Sequence, residues 1–171
     1  MDFHDEITLL GAIGTNGLPL MTNVENSFRS GLEVDLSIKL GDLTLSNSSS
    51  YMYCEVKTDS GTFKPVMTPD LIINQAIVYT YKDADFGVNF RYLTDRYMDL
   101  GNEYIVPGSY CLDLSLCWHF DIHDIIIGVN NILVNDEIGA LSMGNGYIDW
   151  DGPRYFVEAP RNFFVTLHLN F

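Results

Sequence analysis

The chain has 171 residues, with 23 acidic against 9 basic side chains and a formal net charge of -14. That length supports one domain with a real core, and so acidic a surface repels phosphate, which argues against DNA or RNA as a partner. No apolar run reaches the about 18 residues of a membrane-crossing helix, and the opening Met1 to Glu6 is acidic where a signal peptide is basic.

Two-residue alternation of apolar and polar side chains, the mark of a two-faced strand, recurs along the whole chain. Asp2 to Ala12 is the weakest instance, and Gly11, Gly14, Asn16, Gly17 and Pro19 then predict a loop. Phe28 to Leu40 sets Phe28, Leu32, Val34, Leu36, Ile38 and Leu40 against Arg29, Glu33, Asp35 and Lys39. Gly41-Asp42 is a two-residue hairpin turn. Leu43 to Cys54 follows, with Leu43, Leu45, Tyr51 and Tyr53 opposite Thr44, Ser46, Ser48 and Ser50. A polar loop over Glu55 to Asp70 leads to Leu71–Tyr81. The turn Lys82 to Asp85 leads to Phe86–Leu93, where Phe86, Val88, Phe90 and Tyr92 oppose Asn89 and Arg91.

A second long loop, Thr94 to Gly108, precedes Ser109–Phe120, with Leu112, Leu114, Leu116, Trp118 and Phe120 against Cys111, Asp113, Ser115, Cys117 and His119. After a tight turn at Asp121 to His123, the strand Asp124–Leu133 sets Ile125, Ile127 and Val129 against Gly128 and Asn130. A third long loop, rich in Gly and Pro, delivers the last alternating stretch, Arg161 to Phe171. There Phe163, Val165, Leu167, Leu169 and Phe171 share a face.

The expectation is eight antiparallel strands whose connections alternate long and short. Strands of about ten residues, tilted by about 45°, span a bilayer, and outer-membrane barrels keep short turns on the periplasmic side and long loops outside. The apolar faces of Leu32 to Ile38, Leu112 to Leu116 and Phe163 to Leu169 carry no charge, as lipid demands. Tyr51, Tyr53, Tyr79, Tyr81, Tyr92, Trp118 and Phe120 lie near strand ends, where aromatic girdles belong. The chain therefore reads as an all-β, antiparallel transmembrane β-barrel segment. Its polar face, carrying Arg29, Glu33, Asp35, Lys39, Asn89, Arg91, Asp113 and Asn130, would line the lumen. The strand of Phe163, Val165, Leu167, Leu169 and Phe171 would be the terminal one used in membrane assembly.

Reactive side chains form no catalytic pattern. Cys111 and Cys117 sit about 20 Å apart on one extended strand, at about 3.3 Å per residue, and cannot pair there. His4, His119, His123 and His168 show no helical pair and no zinc-type spacing. Glu33 and Asp35 share a face with Arg29 and Lys39, which reads as a charge-balanced wall and not as an acid/base pair. The sequon Asn47-Ser48-Ser49 falls inside a strand. No nucleophile elbow, phosphate loop or dinucleotide fingerprint occurs, so no catalytic, cofactor or metal residue is assigned and the chain is not read as an enzyme.

Several segments resemble TonB-dependent outer-membrane receptors. They are Gly17-Leu18-Pro19, Asn23-Val24-Glu25-Asn26-Ser27-Phe28-Arg29-Ser30-Gly31-Leu32-Glu33 and Tyr92 to Tyr97, then Gly128-Val129-Asn130-Asn131-Ile132 and Ala159-Pro160-Arg161-Asn162-Phe163. The resemblance implies a barrel of about 22 strands around an N-terminal plug. It also implies energised uptake of a bulky nutrient of the ferric siderophore, cobalamin or glycan class. Implied partners are outer-membrane lipid, the remaining barrel and plug, an inner-membrane energising complex and a small-molecule substrate. No cofactor is implied. Eight strands and no plug make residues 1–171 the C-terminal barrel segment of such a receptor, placed in the bacterial outer membrane. The alternatives are a self-closed eight-stranded barrel, adhesin-like or structural, and a soluble β-sandwich binding module.

Overall fold

The computed structural model describes residues 1–121, 123–133, 146–149, 152–155 and 159–169, with backbone alone for 146–149 and 152–155. Among them the chain is all β. The strands are β1 (Asp2–Ile13), β2 (Pro19–Leu40), β3 (Leu43–Thr58), β4 (Gly61–Phe63), β5 (Leu71–Tyr81), β6 (Ala84–Leu93), β7 (Arg96–Tyr97) and β8 (Ile105–Val106). Then come β9 (Ser109–Phe120), β10 (His123–Asn130), β11 (Gly146–Asp149), β12 (Gly152–Tyr155) and β13 (Asn162–His168). The long strands form one antiparallel up-and-down sheet, β1-β2-β3-β5-β6-β9-β10-β13, each bonded to its neighbour in chain order.

The short turns that follow Leu40, Tyr81 and Phe120 all fall at one end of the sheet. Each opens with a residue in the left-handed region: Gly41, Lys82 and Asp121. Adjacent turns are tied together, Thr80 N–H to the Asp42 carbonyl at 2.9 Å and His119 N–H to the Asp83 carbonyl at 2.8 Å. The opposite end carries the long connections, and the buried apolar residues sit there. Val24, Val56 and Leu100 form one cluster, with Met67, Met98 and Val106 in a second. The faces of the sheet itself are largely exposed, including Leu32, Leu36 and Val165. So the core belongs to the loop layer.

That layer is stitched by polar groups. Asn102 accepts from Lys64 N–H at 2.7 Å and donates back to the Lys64 carbonyl at 3.0 Å. Asp99 accepts from the amides of Glu103 and Tyr104. Met67 N–H reaches the Tyr97 carbonyl, and Leu100 N–H the Leu10 carbonyl. Gly11, at φ +91°, lies against this fold so closely that a Cβ would stand 2.1 Å from the Met98 carbonyl oxygen.

Several expected boundaries move. Residues 20–27 are not loop: β2 begins at Pro19 and runs 22 residues, paired with β1 as a tall hairpin closed by the turn 14–18. The first connection is therefore short, and its reach comes from strand length. β3 continues to Thr58 and folds back through β4, and the loop at 94–108 holds the β7–β8 ladder. β10 ends at Asn130, three residues before the expected Leu133, and β13 ends at His168. The hairpin β11–β12, inside the third long loop, meets β1 in a parallel bridge at Ala12 and Ile148.

Candidate functional site

Residues directly opposite in a ladder share a face, so the register fixes which side chains meet. Asp35, Ser48, Asn74, Arg91 and Cys111 follow one another across β2, β3, β5, β6 and β9 as one polar row. Ala76, Asn89 and Asp113 form the adjoining row. Arg29, Glu33 and Lys39 oppose Cys54, Ser50 and Thr44 on the same face, and Asn130 opposes Asn162. The register thus sets all eight expected polar residues on one face. On the other face, Phe163, Val165 and Leu167 oppose Val129, Ile127 and Ile125. Leu169 follows the end of β13, and Phe171 lies outside the described residues.

That face is not uniformly apolar. Asn47 and Ser49 lie on it, opposite Leu36 and Val34, and Asn47 donates to the Ser49 hydroxyl at 3.0 Å. Gln75 is the next residue along from Asn47. The alternation reading left both β3 residues out.

Sharing a face does not bring these charges into ion pairs. Among the described residues no ion pair joins Glu33 or Asp35 to Arg29 or Lys39. Arg29 turns to Glu6 on β1, and Ser27 donates to the same carboxylate. Gly31 completes this motif: a Cβ there would sit 2.5 Å from the Tyr51 carbonyl oxygen. Ser27, Arg29 and Gly31 are therefore three separate fittings of β2 to its two neighbours.

Asp113 is the hub of the polar face. It pairs with Arg91 at 2.8 Å and accepts from the Cys111 thiol at 3.2 Å and the Asn131 amide at 2.8 Å. Asn130 donates to the Asn162 side chain at 3.0 Å, Asn131 to the Ala159 carbonyl at 3.0 Å, and Arg161 to the Ile132 carbonyl at 2.6 Å. The two short motifs around Asn130 and Arg161 thus grip each other across the last long loop. A groove of about 460 Å3 runs over this wall, lined by Ser46, Ser48, Asn74, Asn89, Arg91 and Asp113.

At the turn end, His119 lies between two carboxylates, Nδ1 at 2.7 Å from Asp124 and Nε2 at 3.1 Å from Asp85. Cys117 Sγ is 4.0 Å from the same Nδ1. Sequence reasoning set His119 on the polar face of its strand and assigned it no ligand role. The available signal was the two-residue spacing of Cys117 and His119; the register that brings in Asp124 is not visible in the chain.

No protein-family model and no curated protein matches the chain. Solved structures do. The ferric-catecholate import receptor Fiu from E. coli K12 aligns over 99% of this chain with a TM-score of 0.74 and 17% identity. The ferric yersiniabactin uptake receptor FyuA from Yersinia pestis aligns over 89% with a TM-score of 0.73 and 14% identity. The copper transporter OprC aligns over 99% with a TM-score of 0.73 and 18% identity. These neighbours are TonB-dependent outer-membrane receptors. The chain spans about a quarter of their length, 24%, 25% and 27% respectively. Its fold is that of a section of their barrel wall.

Proposed function

We propose, from a fold shared with the barrel wall of TonB-dependent outer-membrane receptors, that this chain is the C-terminal wall section of such a receptor, in the bacterial outer membrane. The whole receptor takes up a small, bulky, metal-bearing nutrient. The observation that carries the reading is the eight-strand antiparallel succession with one polar and one apolar face, superposing on Fiu along 99% of the chain.

The edges support a wall section over a closed barrel. Of β2, only residues 19–28 pair with β1, so among the described residues β2 from Ser30 to Leu40 has no strand on that side. Among the described residues β13 pairs only with β10. In hydrocarbon each unsatisfied backbone group costs several kcal/mol, so both edges call for further strands. The neighbours' names, which specify ferric chelates and copper, favour a metal-bearing cargo over cobalamin or glycan. The polar face, with Arg91, Asp113 and Asn130, faces the plug, and the long loops meet the substrate outside. An inner-membrane complex supplies energy, and no covalent step is involved.

The test is an immunoblot of fractionated native cells with an antibody against residues 159–169, paired with uptake of radiolabelled ferric chelates. An outer-membrane band several times heavier than 19.3 kDa, in cells whose chelate uptake falls on gene disruption, is the expected result. A heat-modifiable outer-membrane band at the chain's own mass would replace the wall section with a small closed barrel. An aqueous-fraction band would overturn the membrane reading.

A further inference from the structure

The turn end of the polar face brings three different metal-ligating groups together. Cys117 and His119 project from the same face of β9, two residues apart. Asp124, near the start of β10, is the register partner of His119. One ligand atom from each, Sγ, Nδ1 and a carboxylate oxygen, lies within 4.8 Å of the others. We propose that Cys117, His119 and Asp124 form a binding site for a divalent transition-metal ion of zinc-like softness, at the turn end of the wall. The inference goes beyond the uptake reading and does not depend on it.

The geometry suits an ion. Bonds of about 2.0–2.3 Å in a tetrahedral zinc site set ligand atoms about 3.3–3.8 Å apart. The observed separations lie on either side of that range: 2.7 Å from Nδ1 to Asp124 and 4.0 Å from Nδ1 to Sγ. The third separation, from Sγ to the Asp124 oxygen, lies within 4.8 Å.

The donor set selects the metal class. Thiolate and imidazole favour zinc and its neighbours, whereas calcium and magnesium require oxygen ligands. Three protein ligands leave a fourth position for water or a donor from another molecule. Binding requires the thiolate, so the Cys117 proton is released to solvent as the ion binds.

Asp85 supplies the feature that separates a site from a chance cluster. Its carboxylate lies 3.1 Å from His119 Nε2, and its other oxygen is fixed by the Thr80 hydroxyl at 2.7 Å. A proton held on Nε2 by Asp85 leaves the Nδ1 lone pair aimed at Cys117 and Asp124. Metal-bound histidines are oriented by a carboxylate on the far ring nitrogen in this way. Asp85 therefore acts as a positioning residue.

The experiment titrates the detergent-extracted full-length protein with cobalt(II) and then displaces it with zinc(II). Expected is a thiolate-to-cobalt charge-transfer band at one equivalent, absent from Cys117→Ser but kept in the Cys54→Ser/Cys111→Ser double variant. Asp85→Asn should keep the band and weaken zinc binding about 10–100-fold. Sheet content by circular dichroism confirms that each variant is folded, and Asp124→Asn gives a second reading if Cys117→Ser is not. No band in the folded native protein, or a band that survives in Cys117→Ser, overturns the proposal. Unchanged zinc affinity in folded Asp124→Asn overturns it too.

Discussion

Asn131 stands in the left-handed region at φ +52° and donates from its side-chain amide to the Ala159 carbonyl at 3.0 Å. Its own backbone N–H goes to Asp113, so one residue ends β10, fixes the approach to β13 and holds the hub of the polar face. Asn is suited to this place because it tolerates left-handed backbone better than other side chains. Asn131→Gly removes the amide bond without strain and should cost about 0.5–1.5 kcal/mol, the net worth of one hydrogen bond to the exposed Ala159. Asn131→Ala should cost about 1–2 kcal/mol more, from the left-handed backbone. Urea unfolding in lipid vesicles measures both. Equal midpoints for the two variants would remove the backbone part of the account.

The Arg91–Asp113 pair should contribute less than its 2.8 Å separation suggests. The Arg91 side chain is 42% exposed against 15% for Asp113, so solvent screens the attraction. A double-mutant cycle on Arg91→Ala and Asp113→Ala should give a coupling of about 0.2–1 kcal/mol. Asp113→Ala alone should cost more than Arg91→Ala alone, because it also strips the acceptor from the Asn131 amide and the Cys111 thiol. Equal single costs would mean that the carboxylate serves Arg91 alone.

The strands with unbroken alternation were legible in the chain. Ser109–Phe120 was bounded correctly, since one face is continuously apolar and a turn or loop signal lies on either side, and Leu71–Tyr81 was too, although Gln75 interrupts its apolar face. β2 was truncated at Phe28 because buried residues Val24 and Ser27 stand three apart, which breaks a strict two-residue count. β4, β7 and β8 are too short to carry a period. The polar face could be read because alternation assigns faces within a strand. The pairing of Arg29 with Glu6 and the meeting of Cys117 and His119 with Asp124 depend on register between strands, which alternation does not encode.

Gly11 marks where the first hairpin meets the loop layer. Gly11→Ala would face a 2.1 Å approach to the Met98 carbonyl and a φ of +91°. Either the β1–β2 hairpin or the segment around Met98 must withdraw, opening the bond from Leu100 N–H to Leu10. Beyond backbone strain of about 1–2 kcal/mol, the visible result should be faster proteolysis within residues 94–108, with the sheet spectrum intact. Native protection of that loop in Gly11→Ala would show that the contact is not needed to hold it.

The side chains of Asn47 and Gln75 decide what the apolar face touches. They are register partners on β3 and β5, beside Leu36, on a face that otherwise carries Leu32, Val34, Ile38, Ile77 and Tyr79. An amide in hydrocarbon costs about 1–3 kcal/mol, judged from mutations in protein interiors, and the bond from Asn47 to Ser49 offsets part of that cost. If lipid covers this face, Asn47→Leu and Gln75→Leu together should stabilise the protein in vesicles by about 1–3 kcal/mol. If water covers it, the same pair enlarges an exposed apolar patch and promotes association instead. Unfolding in vesicles against sedimentation in detergent-free buffer separates the two. A protein that gains no stability in lipid and aggregates in buffer would turn this face from the membrane to water.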